Sequence, residues 1–310
     1  PAFVEGAAEH AIPVKPIRRF NERWLALLER VRRHAGRTTI AVVGAGAGGV
    51  ELTLAMQYRL RGELRSLGRD PDELRFHLFS AARDILPTHN ASVRRSFERV
   101  LAARGVVIHR AAEVCAVISG QLSTDAGETL AADEIVWVTQ AGGAAWLRAT
   151  GLALDDSGFI EVQDSLQTVS DTNVFAAGDC AAMRDTPLEK AGVFAVRQGR
   201  PLAENLRRSL LGQPLRAYRP QARWLALIST GDRYAVASRA AAHVEGAWVW
   251  RWKDWIDRRF MTRFNDLPAM SAPPRQKAAA VPLDQAEAAQ AISAVAMRCG
   301  GCGAKVGATV

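Results

Sequence analysis

The first half of the chain alternates apolar, strand-like runs with amphipathic, helix-like runs. A β-branched run at 38–44 predicts a buried strand, and the apolar positions of 47–61 have helical spacing. A second strand is predicted at 75–81, and a second amphipathic helix at 92–103 ends before Gly105. Such alternation is typical of a doubly wound parallel sheet, which makes the fold α/β. Further short strands of this unit are predicted at 106–108, 113–118 and 134–139.

Different patterns flank this unit. Residues 1–36 are predicted to form a short loop and then a helix that ends at Gly36. From residue 146 the pattern changes to short strands and turns, including an apolar strand that leads into Gly178 and Asp179. A helix is predicted around 192–210, where we expect Pro201 to kink or split it.

The last part of the chain has three predicted segments. Residues 222–250 are predicted to form small strands around a turn at Gly231, and 251–264 an aromatic, basic helix. We expect this helix to pack in a core, with contact to a membrane surface as the alternative. Residues 271–288 are rich in Ala, Pro and Gln with little periodicity, which predicts an inter-domain linker.

Composition and charge narrow the classes of function. The 310 residues include 40 Lys and Arg against 32 Asp and Glu, which gives a net charge of +8. No basic strip is interleaved with aromatic residues, so we interpret the excess as solvated helix faces and exclude nucleic acid as a partner. The chain has four cysteines without regular spacing, which favours a reducing cytoplasm. Cys115 and Cys180 are expected to be inert, buried thiols.

A glycine loop follows the first strand. Gly44, Gly46 and Gly49 match the pattern G-x-G-x-x-G, and the loop lies between a predicted strand and a predicted helix. The first glycine permits a tight turn, the second lets a pyrophosphate approach the backbone, and the third lets the helix pack closely. The positive end of the helix then faces the phosphates. The loop therefore predicts dinucleotide binding, with a glycine-rich turn without ligand as the alternative.

The end of the second strand bears on the choice of nicotinamide cofactor. An acid that grips the ribose is usual there, but Ser80 occupies the end of the strand and Arg83 lies just beyond. These two side chains could hold the 2′-phosphate of NADP. Alternatively, the polar stretch 62–74, predicted to be a surface connection, shifts the alignment and the acid lies elsewhere.

A second signature lies about 130 residues downstream, at Gly178 and Asp179. A carboxylate at the end of a strand can accept a hydrogen bond from a ribityl hydroxyl, and the adjacent glycine leaves room for a flavin chain. The alternative is an ordinary turn in which Asp179 caps the next element.

Together, the glycine loop and the second signature resemble the pyridine nucleotide–disulfide oxidoreductase family, and within it the type II NADH dehydrogenases, over roughly residues 1–265. The resemblance implies FAD and NAD(P)H as cofactors, with a Rossmann-like NAD(P)H domain inserted into a split FAD domain. It implies that Glu51 lies near the nicotinamide, although an exposed helix-surface Glu is the alternative. It also implies that Asp179 contacts FAD, and that the segment with Lys190 and Gly192 begins a helix whose N-terminus faces the flavin ring.

The sequence departs from the family in two respects. The family's first glycine loop would lie before Pro1, so the chain is expected to carry half an FAD site and to purify with little flavin. No Cys pair lies within 38–145, which argues against a dithiol in the NADPH domain, as in thioredoxin reductase.

The C-terminal end carries a separate Cys/Gly motif with Cys299, Cys302 and Lys305. Taken alone, two cysteines at this spacing indicate half a zinc site or a redox pair. The motif resembles the catalytic loop of selenide, water dikinase, which implies that Cys302 and Lys305 are its catalytic pair. The Mg²⁺ and ATP that this enzyme uses would be bound mostly by residues after Val310.

The resulting hypothesis is an enzyme that transfers hydride from NAD(P)H to FAD and then to a quinone or an oxidised selenium species, fused to a dikinase. A non-catalytic, nucleotide-binding scaffold that regulates the dikinase is the alternative. The expected substrates are small molecules, and the expected location is the cytoplasm or the inner face of the membrane. Whether the protein forms a homodimer is left open.

The predicted segments are 1–36 (end of the first FAD half and connecting helix), 37–145 (NAD(P)H domain), 146–215 (second FAD half), 216–270 (small α+β subdomain), 271–297 (linker) and 298–310 (start of the dikinase).

Overall fold

The computed structural model describes residues 4–15, 17–139 and 142–266. The linker at 271–288 and the Cys/Gly motif lie outside the described residues. The elements in chain order are α1 (Ala7–His10), β1 (Ile12–Pro13), α2 (Ile17–Arg33), β2 (Thr38–Val43), α3 (Ala47–Ser66), β3 (Leu74–Phe79), α4 (Ala91–Ala103), β4 (Val106–His109), β5 (Val114–Ile118), β6 (Gln121–Thr124), β7 (Thr129–Ala131), β8 (Glu134–Trp137), β9 (Ile160–Val162), β10 (Ala181–Met183), α5 (Gly192–Leu210), β11 (Ala226–Ser229), β12 (Ala235–Arg239), β13 (Ala242–Gly246) and α6 (Ala247–Asn265).

A five-stranded parallel sheet forms the centre of the molecule, in the order β1-β8-β2-β3-β4. Its register pairs Val42 of β2 with Leu78 of β3 on one side and with Val136 of β8 on the other. Strand β2 lies in the middle and is fully buried at Ile40, Ala41 and Val42, as its β-branched, apolar sequence requires. The predicted α/β fold with a parallel sheet is confirmed.

The two faces of this sheet are covered differently, because alternate side chains of a strand point to opposite faces. Helices α2, α3 and α4 cover one face, and their apolar residues share a core with Ile40, Phe76 and Leu78. Strand β5 forms a separate antiparallel sheet with β6 and β7, and it covers the other face together with α1. Residues 113–118 were predicted to form a strand of the parallel unit. The strand exists as β5, but it pairs with β6 in the antiparallel sheet, so that part of the prediction is wrong. This antiparallel sheet makes the crossover from β4 to β8 that a helix usually provides.

Two predicted helices are longer or more regular than expected. Helix α3 continues to Ser66, beyond the predicted end at 61, because Leu60 and Leu64 maintain its buried face. The surface connection at 62–74 is correspondingly shorter. Helix α5 runs without interruption through Pro201, so the expected split is absent. The buried residues Phe194, Gln198 and Asn205 hold the helix on both sides of the proline.

The segment before Gly178 is not a strand. Strands β9 and β10 pair in parallel as a small sheet, but at 174–177 only Phe175 makes an isolated bridge, with Gln167. Gly178 begins a short 3₁₀ turn that leads directly into β10. In place of the predicted strand, residues 174–177 form an extended segment, and its one β-bridge is the pair Gln167–Phe175.

The last three strands lie where small strands were predicted and form an antiparallel sheet; α6 follows them from Ala247, earlier than the predicted start at 251. This unit docks on α3 and α4: the Ser229 amide donates to Glu51, and Arg104 donates to the Thr230 carbonyl at 2.7 Å. Helix α6 itself buries Val249 completely, whereas its tryptophans are 37–55% exposed, apart from the partly buried Trp250. The expectation of a core-packed helix is wrong for most of its aromatic residues. No helix in the described ranges is both long and apolar enough to span a membrane.

Candidate functional site

One large cleft runs along the carboxyl edge of the central sheet, with a volume of about 1390 Å³. This edge is where open α/β sheets bind their ligands. One wall is the glycine loop after β2 and the ends of β3 and β8, and the other wall is the segment from Gly178 to Gln198. The cleft brings together six predicted residues from distant parts of the sequence: Gly44, Gly46, Ser80, Gly178, Asp179 and Lys190.

The fold requires a glycine at two of the three loop positions, Gly44 and Gly49, but not at Gly46. Gly44 has φ +114°, and a Cβ there would lie 2.9 Å from the Thr139 amide nitrogen. A Cβ on Gly49 would lie 1.7 Å from the Gly44 carbonyl oxygen. Packing alone therefore excludes a side chain at both positions. Gly46 differs, because its φ of −69° is ordinary and a Cβ would meet nothing within 4 Å.

Gly46 lines the cleft, and its backbone is accessible from the cleft. Gly46 is the N-cap of α3 and gives the helix no side-chain cap. Amide groups of a first helical turn have no partner within their helix, and the helix dipole adds positive potential there. A pyrophosphate fits such a site.

Strand β3 ends at Phe79, and no acid follows it before Asp84. Ser80 follows the strand and is buried, and its hydroxyl donates to the Asp84 carbonyl at 3.1 Å. Arg83 is exposed and is not among the cleft residues. Glu113, which the sequence analysis did not single out, lines the same region of the cleft from the loop before β5. Only the long-range packing of that loop brings Glu113 there.

Gly178 and Asp179 form the opposite wall. Gly178 has φ +75°, and its amide donates to the Gln198 side-chain oxygen at 2.6 Å. Asp179 does not cap an element; its carboxylate pairs with Lys15 at 2.7 Å. Sequence reasoning missed Lys15, and it gave the buried Gln198 no role of its own within the segment that begins at Lys190. Both residues act through contacts to distant segments.

Lys190 and the start of α5 complete this wall. The Lys190 ammonium donates to the Ala181 carbonyl and lies 3.9 Å above the centre of the Phe159 ring. Burial lowers the pKa of Lys190, and the nearby Asp155 and Asp179 partly oppose that shift. Gly192 is the first residue of α5 and does not itself line the cleft, but its neighbours Ala191 and Phe194 do. The positive end of α5 therefore faces the cleft.

Glu51 lies elsewhere. Its carboxylate accepts the Ser229 amide at 3.0 Å, at the contact between α3 and the C-terminal sheet, and it does not line the cleft. Burial raises the pKa of Glu51, while the Ser229 hydrogen bond and Lys253 oppose the shift. The alternative of an exposed helix-surface Glu is wrong. A role near the nicotinamide stays a prediction.

The cysteines do not form a second site in the described ranges. Cys115 and Cys180 are free and exposed, so the expectation that they are buried is wrong. Cys115 lies in the edge strand β5, and Cys180 ends the short 3₁₀ turn that begins at Gly178; both elements leave one side exposed to solvent. No three His, Cys, Asp or Glu side chains of the described residues are placed to hold a metal ion. Cys302 and Lys305 lie outside the described residues.

The parallel sheet and the cleft at its carboxyl edge define an α/β protein with a Rossmann-like fold. Residues 4–201 match the family described as pyridine nucleotide-disulphide oxidoreductase, and the chain belongs to this family.

Curated proteins with similar sequences include NADH dehydrogenase-like enzymes. An NADH dehydrogenase-like protein of Mycobacterium tuberculosis is 31% identical over 193 residues, which are 58% of this chain and 46% of that protein. The type II NADH:quinone oxidoreductase of Haemophilus influenzae is 32% identical over 157 residues, 47% of this chain and 34% of that enzyme. The demethylphylloquinone reductase NdbB of Synechocystis is 28% identical over 209 residues, 64% of this chain and 48% of that enzyme. The chain thus spans less than half the length of each of these relatives.

Solved structures agree on the fold. The sulfide:quinone oxidoreductase of Aquifex aeolicus superposes with a TM-score of 0.69 at 16% identity, covering 85% of this chain and 66% of that one. The NDH2 structure from Plasmodium falciparum gives a TM-score of 0.60 at 12% identity, covering 84% and 74%.

Proposed function

We propose that this chain forms the NAD(P)H-binding part and one wall of the flavin site of an oxidoreductase that passes hydride from NAD(P)H to FAD. The observation that carries the proposal is the shared cleft, in which the open space at Gly46 faces the wall formed by Gly178 and Asp179. The family and the NADH dehydrogenase-like relatives support the same class of reaction.

The residues of the cleft fit the two cofactors. The Gly46 backbone and the N-terminus of α3 would hold the NAD(P)H pyrophosphate. Asp179 would accept a hydrogen bond from a ribityl hydroxyl, and Lys190 with the N-terminus of α5 would supply positive potential toward the flavin ring. When bound, the flavin accepts hydride and passes electrons on, while the protein orients it and excludes water.

The electron acceptor is proposed to be a quinone. Two relatives carry quinone substrates in their names, NADH:quinone oxidoreductase and demethylphylloquinone reductase. An oxidised selenium species is the second candidate, because the Cys302 and Lys305 motif resembles that of an enzyme that consumes selenide.

We propose that this motif begins a selenide, water dikinase unit that uses Mg²⁺ and ATP. The match to the oxidoreductase family ends well before the motif, at residue 201. A scaffold that binds nucleotide without turnover is the remaining alternative.

A spectral titration of the full-length protein tests this function. We expect the flavin absorbance to bleach on addition of NADH or NADPH under anaerobic conditions, and a quinone to restore it. A protein that binds both cofactors without bleaching would be a scaffold. Restoration by an oxidised selenium compound but not by a quinone would reverse the order of the two acceptors.

Steady-state kinetics of the full-length protein address the choice between NADH and NADPH. We expect NADPH to be used at least comparably to NADH, because no acid at the end of β3 repels a 2′-phosphate where Ser80 lies. The measurement is kcat/KM for both cofactors. A preference for NADH of about 100-fold or more, equivalent to about 2.7 kcal/mol, would mean that an acid such as Glu113 grips the ribose.

We further propose that α6 rests on a membrane surface, because three partly exposed tryptophans share one side of this helix. Trp248, Trp252 and Trp255 lie on one side of the helix and are 37–55% exposed. Arg251 and Arg259 lie beside them, while Asp254 and Asp257 pair with other residues of α6. Tryptophan with arginine is typical of helices that lie at the interface of an anionic bilayer.

Sedimentation with lipid vesicles tests this contact. We expect the protein to bind vesicles that contain anionic lipid. Trp252→Ser with Trp255→Ser should weaken binding about 30-fold or more, since each of the two indoles contributes on the order of 1 kcal/mol or more. Tyr58→Ser, at an exposed aromatic residue of α3, is the matched control. Equal binding by the double variant and the wild type would refute the proposal.

A further inference from the structure

An ion pair crosses the cleft between two segments that lie 164 residues apart in sequence. The Lys15 ammonium is 2.7 Å from the Asp179 carboxylate, and both residues line the cleft. Their side chains are 63% and 52% exposed, so the pair contributes little to the stability of the fold. A role in stability therefore does not account for its position.

The backbones on both sides of the pair are held in place. On one side, β1 pairs with β8, and the Val14 amide donates to the Trp137 carbonyl at 3.2 Å, so Lys15 emerges at the carboxyl edge of the sheet. On the other side, Gln198 accepts the Gly178 amide at 2.6 Å and holds the turn that carries Asp179. Because both ends are anchored, the pair has a defined geometry that most surface ion pairs lack.

We propose that Lys15 is a positioning residue for the flavin and acts through Asp179. The inference rests on the proposed function, in which Asp179 holds a ribityl hydroxyl. A carboxylate accepts several hydrogen bonds, so Asp179 can keep Lys15 on Oδ2 while Oδ1 accepts the hydroxyl. Lys15 thereby fixes the orientation of that carboxylate. It also adds a positive charge to the wall of the cleft that Lys190 lines as well, and positive charge favours the uptake of electrons.

Three variants of the full-length protein test this role: Lys15→Met, Lys15→Arg and the control Arg18→Met. Arg18 lies on the same segment, pairs locally with Glu22 and does not line the cleft. The measurements are FAD affinity, by titration of the apoprotein, and the midpoint potential of the bound flavin. We expect Lys15→Met to weaken FAD binding about tenfold, as for loss of a charge-assisted hydrogen bond, and to lower the potential. Lys15→Arg should retain the potential, and Arg18→Met should change neither quantity.

A double-mutant cycle with Asp179→Asn separates this role from a general structural one. If Lys15 acts through Asp179, Lys15→Met should have no further effect on FAD affinity in the Asp179→Asn background. An equal loss in both backgrounds, an unchanged affinity and potential in Lys15→Met, or no rescue by Lys15→Arg would overturn the inference. A wild-type protein that binds no FAD at all would overturn the proposed function itself, which is a different and recognisable result.

Discussion

Gly46→Val in the full-length protein should block flavin reduction by NAD(P)H while FAD stays bound. The backbone at Gly46 has φ −69°, and a side chain there meets no protein atom within 4 Å, so the fold should accept the substitution. The space it fills is the space proposed for the pyrophosphate. Overfilling a packed contact costs on the order of 1–3 kcal/mol, and complete exclusion of the ligand costs more, so we expect kcat/KM to fall by about 100-fold or more.

The matched control is Gly62→Val, which lies on the same helix α3 and also has nothing within 4 Å of its added Cβ. It introduces the same side chain outside the cleft, so the rate of flavin reduction should stay near that of the wild type. Gly49→Ala is a contrasting case, because its Cβ would lie 1.7 Å from the Gly44 carbonyl oxygen and the fold itself should suffer. Stopped-flow measurement of the rate of flavin reduction in these variants tests the prediction. A wild-type rate in Gly46→Val would show that this loop is not the dinucleotide site.

Cys302→Ser in the full-length protein should abolish selenide-dependent consumption of ATP and leave NAD(P)H-to-FAD reduction intact. Cys302 lies in a glycine-rich segment with Lys305 three residues further on. A nearby ammonium lowers the pKa of a thiol and favours the thiolate, which is the reactive form. Serine is a far weaker nucleophile at neutral pH, so loss of a catalytic thiolate should reduce turnover to the background rate.

Cys299→Ser is the matched control and should have the milder effect on ATP turnover. The competing hypothesis is a dithiol of Cys299 and Cys302 that receives electrons from the flavin. In that case both substitutions would spare ATP turnover, and both would stop electron transfer from the reduced flavin to its acceptor. Parallel assays of ATP consumption and acceptor reduction on the two variants distinguish the hypotheses.

The sequence by itself determined the parts of the protein that depend on short-range rules. Strand β2, the turn at Gly44 and the start of α3 are adjacent in the chain, so a β-branched run, a glycine pattern and a helical period were enough to place them. The parallel sheet followed from the same alternation. The antiparallel hairpins β11–β13 were likewise predictable from local turns.

Only the tertiary structure decided which distant segments meet. Whether β5 joins the parallel sheet or forms its own antiparallel sheet depends on long-range pairing, which leaves no local signal in a short apolar run. The burial of Glu51 depends on the docking of Ser229, and the exposure of Trp255 depends on how little of α6 that docking covers. The Lys15–Asp179 pair is the clearest case. An ion pair needs only two opposite charges at short range, and among the many Lys, Arg, Asp and Glu residues of this chain the folded backbone alone selects which two those are.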